Sequence, residues 1–487
     1  MRRPSSWRRL AWAVALLGTA VALRAQPFET PPPPAPPRPF NLAVPTEQRL
    51  PNGLRVVVAQ RSGMPIVTAR LVVLSGSEYD PPGRAGLASM TAGLLAKGTR
   101  QRSASAQAHA AESLGGSLDS GAGWDHSEVA ITVATPNLDA ALGLVGDAVM
   151  QPTFAQAELD RFRTQSLDSL KVSYTQPGTL AALAADRLLF GGGPYGHPAA
   201  GTPASLPHIT RADVVALHAA LYRPDNAALV LAGDIDGATA LRLATRHFGA
   251  WKAARVATGQ MPVGTAARRP MPASVVIDLP QAGQAAVVVL APLPPPGADR
   301  PSMATLNSVL GTGYSSRLNQ EVRIKRGLSY GATSHLDQRR QGGALVASVQ
   351  TKNESAAEVL SLMQAELDRL IATPVGDDEL AARKATLIGN FSRAVETTAG
   401  LSQALRSLLV AGLPLDDLGQ RIARLQAVTA ADVQRVAATH LSAQGRRIAV
   451  AGDTSLFGPD LQAQLPGAAT VAHGQLDLER AGRLTKP

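Results

Sequence analysis

Arg323 and Tyr330 are a guanidinium and a phenol seven residues apart, two groups able to face one space. They lie in residues 315–330, SSRLNQEVRIKRGLSY. The stretch reads as a short helix entered through serine caps, with Leu318 and Val322 four apart on its buried face. Arg323, Lys325 and Arg326 load its last turn, where the carbonyl end of a helix favours cations. Gly327 supplies the stop, and Leu328, Ser329 and Tyr330 begin an extended segment. A guanidinium and a phenol thus straddle a helix-to-strand junction, two hydrogen-bond donors that can face one space. The plain alternative is a salt-bridging surface arginine beside a half-buried strand tyrosine.

Other chemistry is scarce. The chain has no cysteine, which excludes disulfides, thiolate metal sites, cysteine nucleophiles and lipoprotein-type acylation. Its nine histidines include no two that are three to five residues apart. Only His126, with Asp125 and Glu128, sits in a tight polar cluster. On a strand His126 and Glu128 share a face, a pattern open to a weak metal site or to a hydrated strand edge, the plainer reading. No Gly-x-Ser-x-Gly elbow supports a serine triad. The glycine-rich GGGPYGHP at 191–198 is not followed by a helix carrying Lys-Ser/Thr, and reads as a turn-rich connection.

The elements that must position these groups belong to a long chain. At 487 residues and 45% hydrophobic content, two or more domains are expected, with Ala, Leu and Val packing in place of sparse aromatics. Residues 1–25 carry five arginines and no acid, so setting them aside lowers the net charge from +10 to +5. That balance, with no basic run, does not indicate nucleic-acid binding. An arginine-rich start followed by an apolar stretch from 10 to 23 reads as an export signal, too short to span a bilayer comfortably. A periplasmic or secreted protein with no stable membrane span after signal removal is expected. Residues 26–44 form a proline-rich spacer.

Beyond it, PNGLRVVVAQ reads as a turn and strand, and PIVTARLVVLSGSEYD as an alternating strand. Helices are expected over 85–96 and 103–114, a strand–turn–strand over 117–133, and mostly helix over 137–190 with breaks at Pro152 and Pro177. A helix at 210–222 opens on a Thr210/Asp213 cap, and 227–233 is a buried strand. Then the pattern restarts. ITRADV at 209–214 is matched by VTAADV at 428–433, and LVLAGD at 229–234 by IAVAGD at 448–453, both 219 positions apart. Ser89-Met90…Gly98-Thr99 recurs 213 positions on as Ser302-Met303…Gly311-Thr312. The chain is an internal duplication of α+β class: two homologous α/β-sandwich-type domains at 45–251 and 275–455, a linker at 252–274, and a tail at 456–487 with no readable motif.

With these landmarks in order, the chain resembles the pitrilysin/insulinase class of metallopeptidases, the inverted zincins that include mitochondrial processing peptidase. PNGLRVVV, GSEYDPPGRAGLA leading to KGT, GPYGHPAAGTPASLPHITRADV and YRPDNAALVLAGD follow the first domain, and SSRLNQEVRIKRGLSY the second. The resemblance implies a mitochondrial processing peptidase-like fold. Active members carry His-x-x-Glu-His before the Lys-Gly-Thr and a further Glu some 75 residues on, two imidazoles and a carboxylate for zinc and its water. Counting back from Lys97, those five positions are Ser89, Met90, Thr91, Ala92 and Gly93. Both histidines and the base are gone, replaced by Ser89, Gly93 and Ala92. The third ligand falls at about Ser169, beside Asp168, and one carboxylate alone does not make a zinc site.

In active members the second domain supplies an arginine and a tyrosine seven residues apart that reach across a chamber, and Arg323 and Tyr330 match that spacing. There the arginine can bond a substrate carbonyl and the tyrosine can donate to a developing oxyanion. The resemblance therefore implies a non-catalytic subunit, inactive alone and binding no zinc itself. It would pair as a heterodimer with a homologous zinc-bearing subunit that acts on peptides, and donate Arg323 and Tyr330 to that subunit's site. The alternatives are a peptide-binding or structural scaffold of the same fold and, least favoured, an independent zinc peptidase.

Overall fold

Buried apolar runs build two six-stranded sheets, one in each half of the chain. The computed structural model describes residues 44–252, 271–480 and 483–486. The expected export signal, nearly all of the proline-rich spacer and most of the linker lie outside the described residues.

The first half runs β1 (Thr46–Arg49), β2 (Arg55–Gln60), β3 (Ile66–Val73), α1 (Leu87–Leu94), α2 (Ala104–Ser113), β4 (Asp119–Ala122), β5 (Ser127–Ala134), α3 (Leu138–Met150), α4 (Gln156–Ser173), α5 (Pro177–Phe190), α6 (Arg211–Leu221), β6 (Ala227–Gly233) and α7 (Gly237–Phe248). The second runs β7 (Ser274–Asp278), β8 (Ala285–Leu293), α8 (Arg300–Gly311), α9 (Arg317–Asn319), β9 (Ala332–Arg339), β10 (Gly342–Thr351) and α10 (Ala356–Ala372). It continues through α11 (Asp377–Ala394), α12 (Thr398–Val410), α13 (Asp417–Ala427), α14 (Ala430–His440), β11 (Arg447–Gly452), α15 (Gly458–Gln464) and β12 (Ala469–Ala472).

The sheet orders, β1-β2-β6-β3-β5-β4 and β12-β7-β11-β8-β10-β9, correspond strand for strand. The repeated motifs occupy equivalent places. Thr210 and Thr429 each accept the amide of an aspartate three residues on, Asp213 and Asp432, whose carboxylate bonds back. These two capping boxes open α6 and α14. LVLAGD and IAVAGD form the central strands β6 and β11, where continuous apolar runs suit burial on both faces. Only the outer strand beside β2 and β7 differs in origin. β1 precedes β2 and pairs antiparallel, whereas β12 comes from the last residues of the chain and pairs parallel to β7. The segment without a sequence motif thus completes the second sheet.

Each half lends one helix to the other. The apolar face of α5, with Leu180, Ala184 and Leu188, packs on Ile277, Val288 and Ala449 of the second sheet. Reciprocally, α12 lies over β3 and β6 of the first. There Thr398 Oγ1 meets Thr68 Oγ1 at 2.8 Å, and Arg70 donates to Ser402 Oγ at 3.2 Å. This exchange corrects the expectation for β3. It alternates in polarity, but Thr68 and Arg70 face α12 and not water, so the strand is buried along nearly its whole length. Among the described residues, no helix is long and apolar enough to cross a membrane.

Candidate functional site

Arg323 lies within a turn wider than an α-helix. α9 passes into a π-helical turn, Gln320–Ile324, closed by the Lys325 amide on the Gln320 carbonyl at 2.9 Å. Such one-turn expansions of a helix recur at functional sites. Leu318 and Val322 anchor the turn in the core, as their spacing predicts. Gly327 then adopts a left-handed φ of 64°, and the amides of Gly327 and Leu328 donate to the carbonyls of Arg323 and Val322. The serine caps need correcting. Ser316 stands at the N-cap, but its hydroxyl donates to the Gly313 carbonyl at 2.8 Å and caps no amide. The helix is instead held by Arg317, which makes a two-pronged bond to Glu379 of α11 at 3.0 and 2.7 Å.

The three cations of the turn divide. Lys325 and Arg326 both fold onto Glu321, whose carboxyl they hold below its ordinary range. Arg323 has no carboxylate partner among the described residues. Its guanidinium lies between two tyrosine rings, 4.8 Å from the centroid of Tyr330 and 5.3 Å from that of Tyr314. Stacking of this kind is worth about 0.5–2 kcal/mol, depending on burial, and holds the planar, charged donor against the two rings. Tyr330 is 91% exposed and Tyr314 64% exposed. Tyr330 precedes β9 by two residues and sits in the connecting loop, so it is neither in a strand nor half-buried. Its backbone is fixed by its neighbours. Ser329 donates to the Gln350 carbonyl at 2.6 Å, and Thr351 to the Leu328 carbonyl at 2.6 Å. Asn319 donates to the Tyr314 carbonyl at 2.6 Å, bracing the other ring. This frame sets a half-buried guanidinium beside an exposed phenol. Tyr314 joins the site without a motif of its own, although its nine-residue separation from Arg323 lies across the same helix.

The positions equivalent to the zinc site are filled differently. Ser89, Ala92 and Gly93 lie on α1, with Ala92 fully buried and Ser89 half-buried. A Cβ on Gly93 would stand 2.6 Å from the edge of the Phe162 ring of α4, so that ring occupies the space a ligand at 93 would need. Ser169, two turns beyond Phe162 on α4, is exposed, and Asp168 pairs on the surface with Lys171 at 2.8 Å. Hydroxyls, an alanine and a glycine packed on an aromatic ring do not fit a zinc ion.

The His126 cluster is not a hydrated strand edge, because arginines from both halves of the chain engage it. His126 accepts from Arg406 of α12 at 2.9 Å, and Glu128 pairs with Arg70 at 2.7 Å and Arg406 at 3.3 Å. Burial, with the Arg406 charge next, pushes His126 down to about 4. Burial alone would raise Glu128, but Arg406 and Arg70 outweigh it and hold the carboxylate low. Asp125 accepts from Tyr195 and from the Arg340 amide. These groups join β5 to the second half of the chain. No three His, Asp or Glu side chains among the described residues are grouped to hold a metal.

Comparison with known proteins places this geometry in a family. A model described as insulinase (peptidase family M16) matches residues 55–197, and one described as peptidase M16 inactive domain matches 208–387. An uncharacterized zinc protease of Mycobacterium tuberculosis (strain ATCC 25618 / H37Rv) is 29% identical over 424 residues, spanning 86% of this chain and 95% of that protein. Another, of Streptomyces coelicolor (strain ATCC BAA-471 / A3(2) / M145), is 27% identical over 416 residues, spanning 84% and 88%. Among solved structures, a peptidase M16 inactive domain from Pseudomonas fluorescens superposes with a TM-score of 0.77 at 26% identity, covering 84% of this chain and 97% of that one. A protease from Helicobacter pylori shares the fold at a TM-score of 0.79 and 20% identity, covering 84% and 100%. The chain belongs to the insulinase, or M16, family of metallopeptidases, as a member without His-x-x-Glu-His.

Proposed function

We propose that this protein is the non-catalytic subunit of an exported heterodimeric zinc peptidase. The observation that carries the reading is a division of labour within one chain. The positions for metal and base are replaced, with the Phe162 ring against Gly93, while the half-buried Arg323 stacks on the exposed Tyr330 and has no carboxylate partner among the described residues. A residual surface pair under no constraint would be expected to find a salt bridge, as Lys325 and Arg326 do. In this reading the zinc is held by a homologous partner subunit, and the substrates are peptides. Arg323 donates to a carbonyl of the bound peptide, and the Tyr330 hydroxyl donates to the oxyanion as it develops. The cationic turn adds no general base, so the chain by itself supplies orientation and charge stabilisation only. A periplasmic or secreted location follows from the reading of residues 1–25.

A second reading, a peptide-binding scaffold with no part in proteolysis, draws on a groove of about 370 Å³ lined by Leu118, Arg161 and Phe162 beside the degenerate site. The two separate in one experiment. The chain is purified from its host with whatever it binds, and assayed alone and recombined with its partner on a peptide library. The proposal expects no cleavage by the isolated chain, and activity on mixing that exceeds that of the partner alone. A partner that is equally active without this chain favours the scaffold.

A further inference from the structure

Away from the Arg323 turn, the second half contains a cavity of about 680 Å³ between α8, α11, α12 and α13. Its walls are mainly apolar, with Leu387, Val395, Leu408 and Leu418 among them. Three arginines line it, Arg300, Arg421 and Arg424, with one carboxylate, Asp417, beside them. Asp417 is 2.8 Å from Arg424 and 3.8 Å from Arg300. Arg421 lies over the Phe391 ring at 5.1 Å and has no acceptor among the described residues. Three cations against one anion leave a surplus charge of two in the lining of a mainly apolar space. Burial, with the Arg421 charge next, lowers the pKa of Arg300, a sign that the cations repel one another there.

We propose that this cavity binds a small carboxylate with an apolar body. The volume lies in the range of small-molecule sites, which pair apolar walls with a few charged groups that fix orientation. The carboxylate meets Arg421, the guanidinium left without an anion, and the body lies along the leucines. That chemistry has two sources, an acyl chain or the free C-terminus of an apolar peptide. The proposal is independent of the peptidase-subunit reading, since no group at the Arg323 turn takes part. Because α12 lines the cavity with one face and covers β3 and β6 with the other, an occupant also braces the joint between the halves.

The test is calorimetric titration of the full chain with decanoate, with an apolar tripeptide bearing a free or an amidated C-terminus, and with decylamine. One-to-one binding of decanoate assigns the acyl source, and binding of the free but not the amidated tripeptide assigns the peptide source. In either case Arg421→Gln, at a solvent-accessible position, weakens binding by about tenfold or more, and Ala404→Phe, which fills the cavity, removes it. Thermal melts of both variants establish that they are folded. The proposal is overturned if neither carboxylate binds, if decylamine binds as well as decanoate, or if Arg421→Gln leaves affinity unchanged.

Discussion

Glycine at 93 and phenylalanine at 162 are coupled, because a Cβ at the first would stand 2.6 Å from the ring of the second. Loss of the zinc motif is therefore more than three substitutions on one helix. Ser89→His/Ala92→Glu/Gly93→His is expected to bind no stoichiometric zinc by metal analysis and to be destabilised by about 1–3 kcal/mol from overpacking. Adding Phe162→Ala and Ser169→Glu opens the space and supplies the remaining carboxylate, so this five-fold variant is the one expected to take up metal. A second prediction concerns buried titration. Burial, with Asp125 next, raises Glu78 from 4.5 to about 8. The folded protein keeps a proton that the unfolded chain releases, so this group costs stability as pH rises between those values. His126 acts oppositely. Its value falls from 6.5 to about 4, so the unfolded chain gains a proton the folded protein refuses, and stability rises with pH across that window. The two effects oppose each other below 6.5, and only that of Glu78 remains from there to about 8. The melting temperature of Glu78→Gln relative to the native protein should therefore climb between neutral pH and the upper end of that window. A constant difference would mean that Glu78 is already ionised in the fold.

Among the elements, those written in local periodicity are legible in the sequence. The capping residues Thr210 and Thr429, the proline that opens α5 and the apolar runs of β6 and β11 each act within a few residues of themselves. What stays hidden depends on distant partners. The exchange of α5 and α12 leaves only an indirect trace, the polar residues Thr68 and Arg70 on a strand buried on both faces, and periodicity alone reads those as solvent-facing. The His126 cluster reads as a hydrated edge for the same reason, since Arg406 lies 280 residues away. The π turn has no signature in the sequence, and no spacing draws attention to Tyr314. The exchange makes α12 one of two helices on which the joint between the halves depends. Leu405, fully buried on α12, should cost about 2–5 kcal/mol when replaced by alanine. Arg406→Ala removes one of two cations from Glu128 and should cost about 1–3 kcal/mol. Denaturant melts check both, and losses below about half a kcal/mol would show that α12 is not integral to the first sheet.

At the scale of the whole molecule, the proposed reading is a duplication followed by divergence, in which one half lacks the zinc motif and the other supplies the grip. The two sheets still share their strand order, so the frame survives while the site residues have separated in fate. Reciprocal helices predict that the halves are inseparable. A chain cut at a protease site engineered between residues 252 and 271 should elute as one body in native buffer, and separate elution would contradict the exchange. The retained grip is the central claim, and it is tested most directly by steady-state kinetics of the recombined heterodimer carrying Arg323→Ala or Tyr330→Phe in this chain. Loss of one charge-stabilising donor predicts a fall in kcat of about 10²–10³ for either variant, with association of the subunits unchanged by size-exclusion chromatography. Native kcat in both variants, with the subunits still associated, would contradict the claim and leave Arg323 and Tyr330 as a relic on a scaffold.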